Sequence, residues 1–173
     1  KWIIGVGLDS KELGNPPEKF ANVFKRARNE GFLAVAHAGE EGPAEYVWSS
    51  IKLLKVSRID HGYHIFEDSD LVRYVSVNQI PVTMCPLASV SVNYFKRVGD
   101  MPLKKALDNG IIFSINSDDP SYFGGYINEN YIAVRKTFNM SKTELIKLAR
   151  FSIISSFMND HMKQKLLEEI DMW

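Results

Sequence analysis

Only one cysteine, Cys85, occurs in 173 residues, so no disulfide can form within the chain. That scarcity suits a reducing compartment. Net charge is absent as well: 21 Lys and Arg balance 21 Asp and Glu. Without a field of one sign, neither a nucleic acid nor a membrane surface is an expected partner. No apolar run nears the ~20 residues that span a bilayer. The opening Lys1-Trp2-Ile3-Ile4-Gly5 is too short for a secretory signal. It reads as a strand with nothing in front of it, as if the chain enters a fold midway. No G-x-G-x-x-G or G-x-x-x-x-G-K-[ST] loop follows a candidate strand, so dinucleotide and P-loop readings lose their main support. What is present is ordinary for a packed protein. Hydrophobic residues make up 45% and charged residues 24%, which excludes intrinsic disorder. The length fits a single domain, expected over 1–173.

Apolar, β-branched-rich runs recur at 2–8, 32–36, 56–59, 80–84 and 111–115. Their near-continuous hydrophobicity fits strands buried on both faces of a parallel sheet. Successive starts lie 30, 24, 24 and 31 residues apart, the length of a strand–helix unit. Between the runs lie helical patterns. Phe20, Val23, Phe24 and Ala27 share one face, and Gly31 suits the position just past a helix end. Pro43 suits a first turn ahead of Tyr46, Val47, Ser50, Ile51 and Leu54. Leu71, Val72 and Val75 continue the pattern, and residues 102–109 form a short helix before Gly110. Ser141-Lys142-Thr143-Glu144 reads as a capping box opening a helix to about residue 150. A last helix is expected over 161–170, and both terminal helices should pack outside the sheet. Five such units make either a complete open sheet or part of an eight-stranded barrel, which typically needs ~250 residues.

The polar residues cluster at the carboxyl ends of the runs. These ends read Asp9-Ser10, His37-Ala38-Gly39-Glu40, Arg58-Ile59-Asp60-His61-Gly62, Cys85-Pro86 and Asn116-Ser117-Asp118-Asp119-Pro120. In parallel βα folds such ends share one face, where barrel enzymes keep their active sites. Each residue also has a structural alternative. A lone His at a strand end is most often a hydrogen-bonded structural residue, and His64 and His161 are read that way. Asp118-Asp119-Pro120 could cap a helix or open a turn. Glu40-Glu41 could face a helix dipole. Taken jointly, two His, one Glu and two Asp supply what metal-assisted hydrolysis needs. His37 and Asp118 can ligate a divalent ion such as zinc, Glu40 could work beside it, and His61 and Asp119 could orient a water.

Five of these motifs, in this order, resemble the adenosine/adenine deaminase family of zinc aminohydrolases on a (β/α)8 barrel. Gly5-Val6-Gly7-Leu8-Asp9-Ser10, Tyr122-Phe123-Gly124-Gly125-Tyr126, Asn128-Glu129-Asn130-Tyr131, and Asp60 before His61 are similar to the adenine deaminase branch. The resemblance implies an α/β fold: the C-terminal five strand–helix units of the TIM barrel plus terminal helices, with the N-terminal strands absent. It implies that His37 and Asp118 ligate one Zn2+ per site. Glu40 donates a proton to the purine, His61 orients the attacking hydroxide and offsets its charge, and Asp119 binds the purine. Ser10 and Asp60 fall where adenine-specific contacts are expected. The implied reaction is hydrolysis of adenine to hypoxanthine and ammonia in purine salvage, in the cytoplasm or also the nucleus. The cytidine-type signature H-x-E…P-C-x-x-C is absent, so base flipping on polynucleotides is not implied.

The sequence departs from the family in three places. No H-x-H occurs, so two further zinc ligands are expected from an N-terminal part, and this chain alone should bind zinc weakly and turn nothing over. Ala88-Ser89 follows Cys85-Pro86-Leu87 where the family has Ser-Asn, and Tyr63-His64 stands where the branch has an apolar residue and Arg. The competing readings are an adenosine deaminase, a pseudoenzyme, and a non-catalytic α/β binding domain.

Overall fold

A computed structural model describes residues 2–173. Lys1, just ahead of the first apolar run, lies outside the described residues. The chain groups into two compact units. One holds the residues up to Thr83 together with Asp108–Ile111; the other holds Met84–Leu107 and Ile112–Trp173.

In the first unit, strands β1 (Gly5–Leu8), β2 (Leu33–Ala38), β3 (Arg58–His61) and β4 (Val82–Met84) lie side by side in chain order. The pairs β1–β2, β2–β3 and β3–β4 are parallel. Helix α1 (Ala21–Asn29) follows β1, α2 (Ala44–Ser49) follows β2, and α3 (Ser69–Val77) follows β3. This is the βα succession that the spacing of apolar runs predicts. Burial on both faces, expected from the continuous apolar runs, holds for β4, whereas in β2 and β3 buried residues alternate with partly or fully exposed ones. Ile59, Leu54, Val47, Ile65, Leu71 and Val75 are fully buried between sheet and helices. Burying each such side chain contributes roughly 1.5–3 kcal/mol relative to leaving it in water.

The elements are shifted from their expected limits in informative ways. Strand β1 begins at Gly5; Trp2, Ile3 and Ile4 are exposed and outside it. Strand β2 runs on through His37 and Ala38, because their backbone pairs with Asp60 and His61 whatever their side chains are. Pro43 is the N-cap of α2 rather than a residue inside its first turn. After α2 the chain continues as one π-helical turn (Ser50–Leu54) closed by Lys55 in a left-handed conformation. Gly31 sits just past the end of α1 at φ +82°, a backbone region that glycine enters without a Cβ clash.

Strand β4 ends in the second unit, where the Met84 carbonyl accepts the Asn116 N–H at 2.9 Å, just past β5 (Phe113–Ile115). Here α4 (Pro86–Ser91), α5 (Leu103–Asp108), α6 (Pro120–Phe123), α7 (Ile127–Phe138), α8 (Lys142–Ile154) and α9 (Asp160–Asp171) complete the chain. Phe113, Ile115, Met84, Leu103, Val134 and Leu148 are buried at its centre. Helix α8 packs on β5, and α9 packs on α8, as expected for terminal helices outside a sheet. The capping box opens α8: Ser141 Oγ accepts the Glu144 N–H, and Glu144 accepts the Ser141 N–H. The helix then runs four residues beyond its expected end. Helix α7 is not predicted by the periodicity at all. Among the described residues, no helix is long and apolar enough to cross a membrane.

Candidate active site

Among the described residues, four of the five strands are left through a residue in the left-handed region: Ser10 (φ +75°), Gly39 (+77°), His61 (+71°) and Asp118 (+58°). Such turns redirect the chain within one residue. They place the groups that follow β1, β2 and β3 at the carboxyl ends of those strands in the first unit. Ser, His and Asp tolerate the conformation at a cost of roughly 1–2 kcal/mol each, and glycine at none.

In the first unit His37, Glu40 and His61 come together, each offering a ligand atom within 4.8 Å of the others. The strand register accounts for this: Ala38 lies beside His61 and His37 beside Asp60. Glu40 Oε1 is 3.2 Å from His61 Nδ1. The two imidazoles meet edge to face, with ring centres 4.6 Å apart. His37 Nδ1 is 3.2 Å from Asp9 Oδ1. His61 is only 3% exposed. Burial first, and the neighbouring His37 second, push its pKa down to about 4, against opposing pulls from Asp60 and Asp9. Its imidazole is therefore uncharged at neutral pH. Beside the cluster lies a cavity of about 240 Å3 lined by Asp9, Ser10, Glu12, Phe20, His37 and Tyr46, among others.

The carboxylate of Asp60 is engaged within the sheet. Arg58 Nε donates to Oδ1 at 2.8 Å and Thr83 Oγ1 donates at 3.1 Å. The Thr83 hydroxyl also accepts the His61 N–H at 3.3 Å. His64 has a structural place, pairing with Glu67 at 3.3 Å and donating its N–H to the Gly39 carbonyl. His161 is exposed on α9.

Asp118 and Asp119 belong to the second unit, on the turn after β5. Asp118 is exposed, and its carboxylate lies within 4.8 Å of the buried Cys85 thiol. Asp119 stands at the N-cap of α6, yet its side chain makes no capping bond there.

Two features escape sequence reasoning. Glu12 is buried in the turn after β1 and accepts the backbone N–H groups of Gly39, Glu40 and Gly42. Asn130 is fully buried in α7; its Oδ1 accepts the Leu87 N–H at 3.0 Å and its Nδ2 donates to the Tyr126 carbonyl. No local pattern marks either: Glu12 follows Lys11 in a polar turn, and Asn130 follows Glu129 and enters the sequence reading only as a member of the Asn128-Glu129-Asn130-Tyr131 motif.

An imidazole nitrogen from His37 and a carboxylate from Asp118 are donor types that suit a borderline divalent cation, so the ligands the motifs imply fit zinc. A neutral imidazole against a carboxyl group is also an arrangement that can hold and pass a proton.

The family model described as adenosine deaminase matches residues 1–173. Among curated relatives, an adenine deaminase from Chlorobium phaeobacteroides is 48% identical over 168 residues, covering 97% of this chain and 50% of that protein. One from Crocosphaera subtropica is 50% identical, covering 95% of this chain and 50% of its own length. The crystal structure of adenine deaminase from Arthrobacter aurescens superposes with a TM-score of 0.97 at 44% identity, covering 99% of this chain and 52% of that one. A zinc-bound amidohydrolase from Burkholderia ambifaria gives a TM-score of 0.89 at 27% identity, covering 98% of this chain and 49% of that one. The chain spans about half the length of the curated relatives it matches, and its fold is the C-terminal half of an adenine deaminase barrel. From motif order, fold and similarity together, the chain belongs to the adenosine deaminase family.

Proposed function

We propose that this chain supplies half of the active site of a zinc-dependent adenine deaminase, which converts adenine and water to hypoxanthine and ammonia in the cytoplasm. The observation that carries the proposal is the His37, Glu40 and His61 cluster, in a chain 48% identical to adenine deaminases. His37 and Asp118 are the ligands this chain would give the metal. An Nδ1–H shared with Asp9 leaves His37 Nε2 as the ligating nitrogen, the usual way a carboxylate fixes a ligand's tautomer. When bound, zinc lowers the pKa of water from ~16 to ~7.

The remaining steps belong to the side chains. The uncharged His61 is suited to hold the attacking water and take its proton, rather than to provide a standing positive charge. Glu40, in its protonated form, gives its proton to purine N1 as the water oxygen bonds to C6. The ring nitrogen then carries no localised negative charge, and such a transfer contributes typically ~10²–10⁴-fold. The exocyclic C6–N bond breaks once the amine has received from His61 the proton that the water gave up; ammonia leaves, and the C6 hydroxyl proton passes to the Glu40 carboxylate, restoring the acid and leaving the carbonyl of hypoxanthine. Asp119, whose carboxylate is not spent on capping α6, is the group that binds the purine. The 173 residues alone are expected to hold zinc weakly and to be inactive, because catalytic zinc takes three or more protein ligands.

Metal analysis with adenine and adenosine turnover tests the reading on the full-length protein. Glu40→Gln should keep the metal and lower kcat by ~10²–10⁴-fold. A Glu40→Gln enzyme that deaminates adenine at the normal rate rejects the proton-donor role. Preference for adenosine over adenine rejects the substrate.

A further inference from the structure

The stretch from Gly39 to Gly42 belongs to neither β2 nor α2. One side chain receives three of its amides. Glu12, 6% exposed, accepts the Gly39 N–H at 2.9 Å and the Gly42 N–H at 2.9 Å on Oε2, and the Glu40 N–H at 3.1 Å on Oε1. The Glu12 N–H donates in turn to Glu41 Oε2 at 3.1 Å. A buried carboxylate is retained only where several donors satisfy it, and three backbone amides do so here. The fit is close: a Cβ at position 42 would fall 2.7 Å from Glu12 Oε2. The backbone of Glu40 is thus held at itself and at residues on both sides. From that backbone its carboxyl reaches His61 Nδ1 at 3.2 Å.

We infer that Glu12 is a positioning residue for the reaction: its buried carboxylate clamps the 39–42 loop and thereby aims the Glu40 carboxyl at His61 and the substrate. The inference rests on the proton-donor reading of Glu40. A displacement of about 1 Å at a reacting group can cost ~100-fold in rate, whereas the metal ligand His37, anchored in β2, is not moved with the loop. Loss of the clamp therefore lowers kcat and leaves metal binding intact.

The test uses the full-length protein with Glu12→Gln, Glu40→Gln and the double variant. Glu12→Gln keeps the shape but turns an amide NH2 toward backbone donors. It should lower kcat by ~10–100-fold, with KM for adenine changed less than ~3-fold and metal content unchanged. On the Glu40→Gln background it should lower kcat no further. Equal fractional losses in both backgrounds, or a wild-type kcat in Glu12→Gln, would overturn the positioning role while the proton donor stands. Full activity in Glu40→Gln would instead overturn the proton-donor reading and this inference with it. Should Glu12→Gln fail to fold, hydrogen exchange on the unmodified protein decides: the Gly39, Glu40 and Gly42 amides should be protected, and exchange as fast as open-loop amides overturns the clamp.

Discussion

Replacing Gly39 by Ala probes the site through its backbone. Gly39 lies between His37 and Glu40 at φ +77°, and a Cβ there would come 2.7 Å from Val47 Cγ2. Two costs add. The left-handed conformation costs an alanine roughly 1–2 kcal/mol. Forcing a methyl into a packed interior costs typically ~1–3 kcal/mol more, and Val47 is fully buried with little room to retreat. The sum is about 2–5 kcal/mol. Gly14 is the internal control: its φ is +79°, yet nothing lies within 4 Å of an added Cβ. Gly14→Ala should therefore show the conformational cost alone, about 1–2 kcal/mol. Urea denaturation of both variants isolates the difference, about 1–3 kcal/mol, or ~0.5–1.5 M in midpoint at an m-value of ~2 kcal/mol/M. Equal midpoints for the two variants would refute the reasoning, because they would mean that Val47 yields at no cost.

Other outcomes follow from the same geometry. His37→Ala should lower zinc stoichiometry in the full-length protein; unchanged metal content by elemental analysis would remove His37 from the ligand set. Phe113→Ala empties a fully buried position beside the Phe151 ring, and should destabilise by ~3–5 kcal/mol in a denaturant titration. The Lys104 ammonium first, and the Ser141 amide and hydroxyl after it, hold the Glu144 carboxyl at a pKa of about 2, below its ordinary 4.5. Since the folded value is the lower one, this contribution is complete above pH 4.5 and lost as pH falls toward 2. Lys104→Met should thus lower stability at pH 6 and have no effect near pH 2; a pH-independent effect would discount the ion pair.

The strands were legible because each carries a short apolar run, although in β2 and β3 only alternate residues are buried, and the cluster was legible because its members stand directly after such runs. Strand limits were less so. Backbone pairing does not read side chains, so β2 extends through His37, while apolar Trp2, Ile3 and Ile4 remain outside β1. Helix α7 was hidden by its start: Tyr126 is no conventional cap, and the N-terminal signal is Glu129 accepting the Tyr126 N–H. Glu12 was hidden by distance, since it acts on residues 27 to 30 positions away and no local pattern announces that.

With the roles proposed above, the left-handed exits at Ser10, His61 and Asp118 set stability against function. Glycine would relax the backbone at each, so selection for heat resistance alone should drift toward glycine at these strand ends and erase the polar groups there. Laboratory evolution of this fold for thermostability would then need a catalytic screen in every round, or it would polish the scaffold while emptying the site.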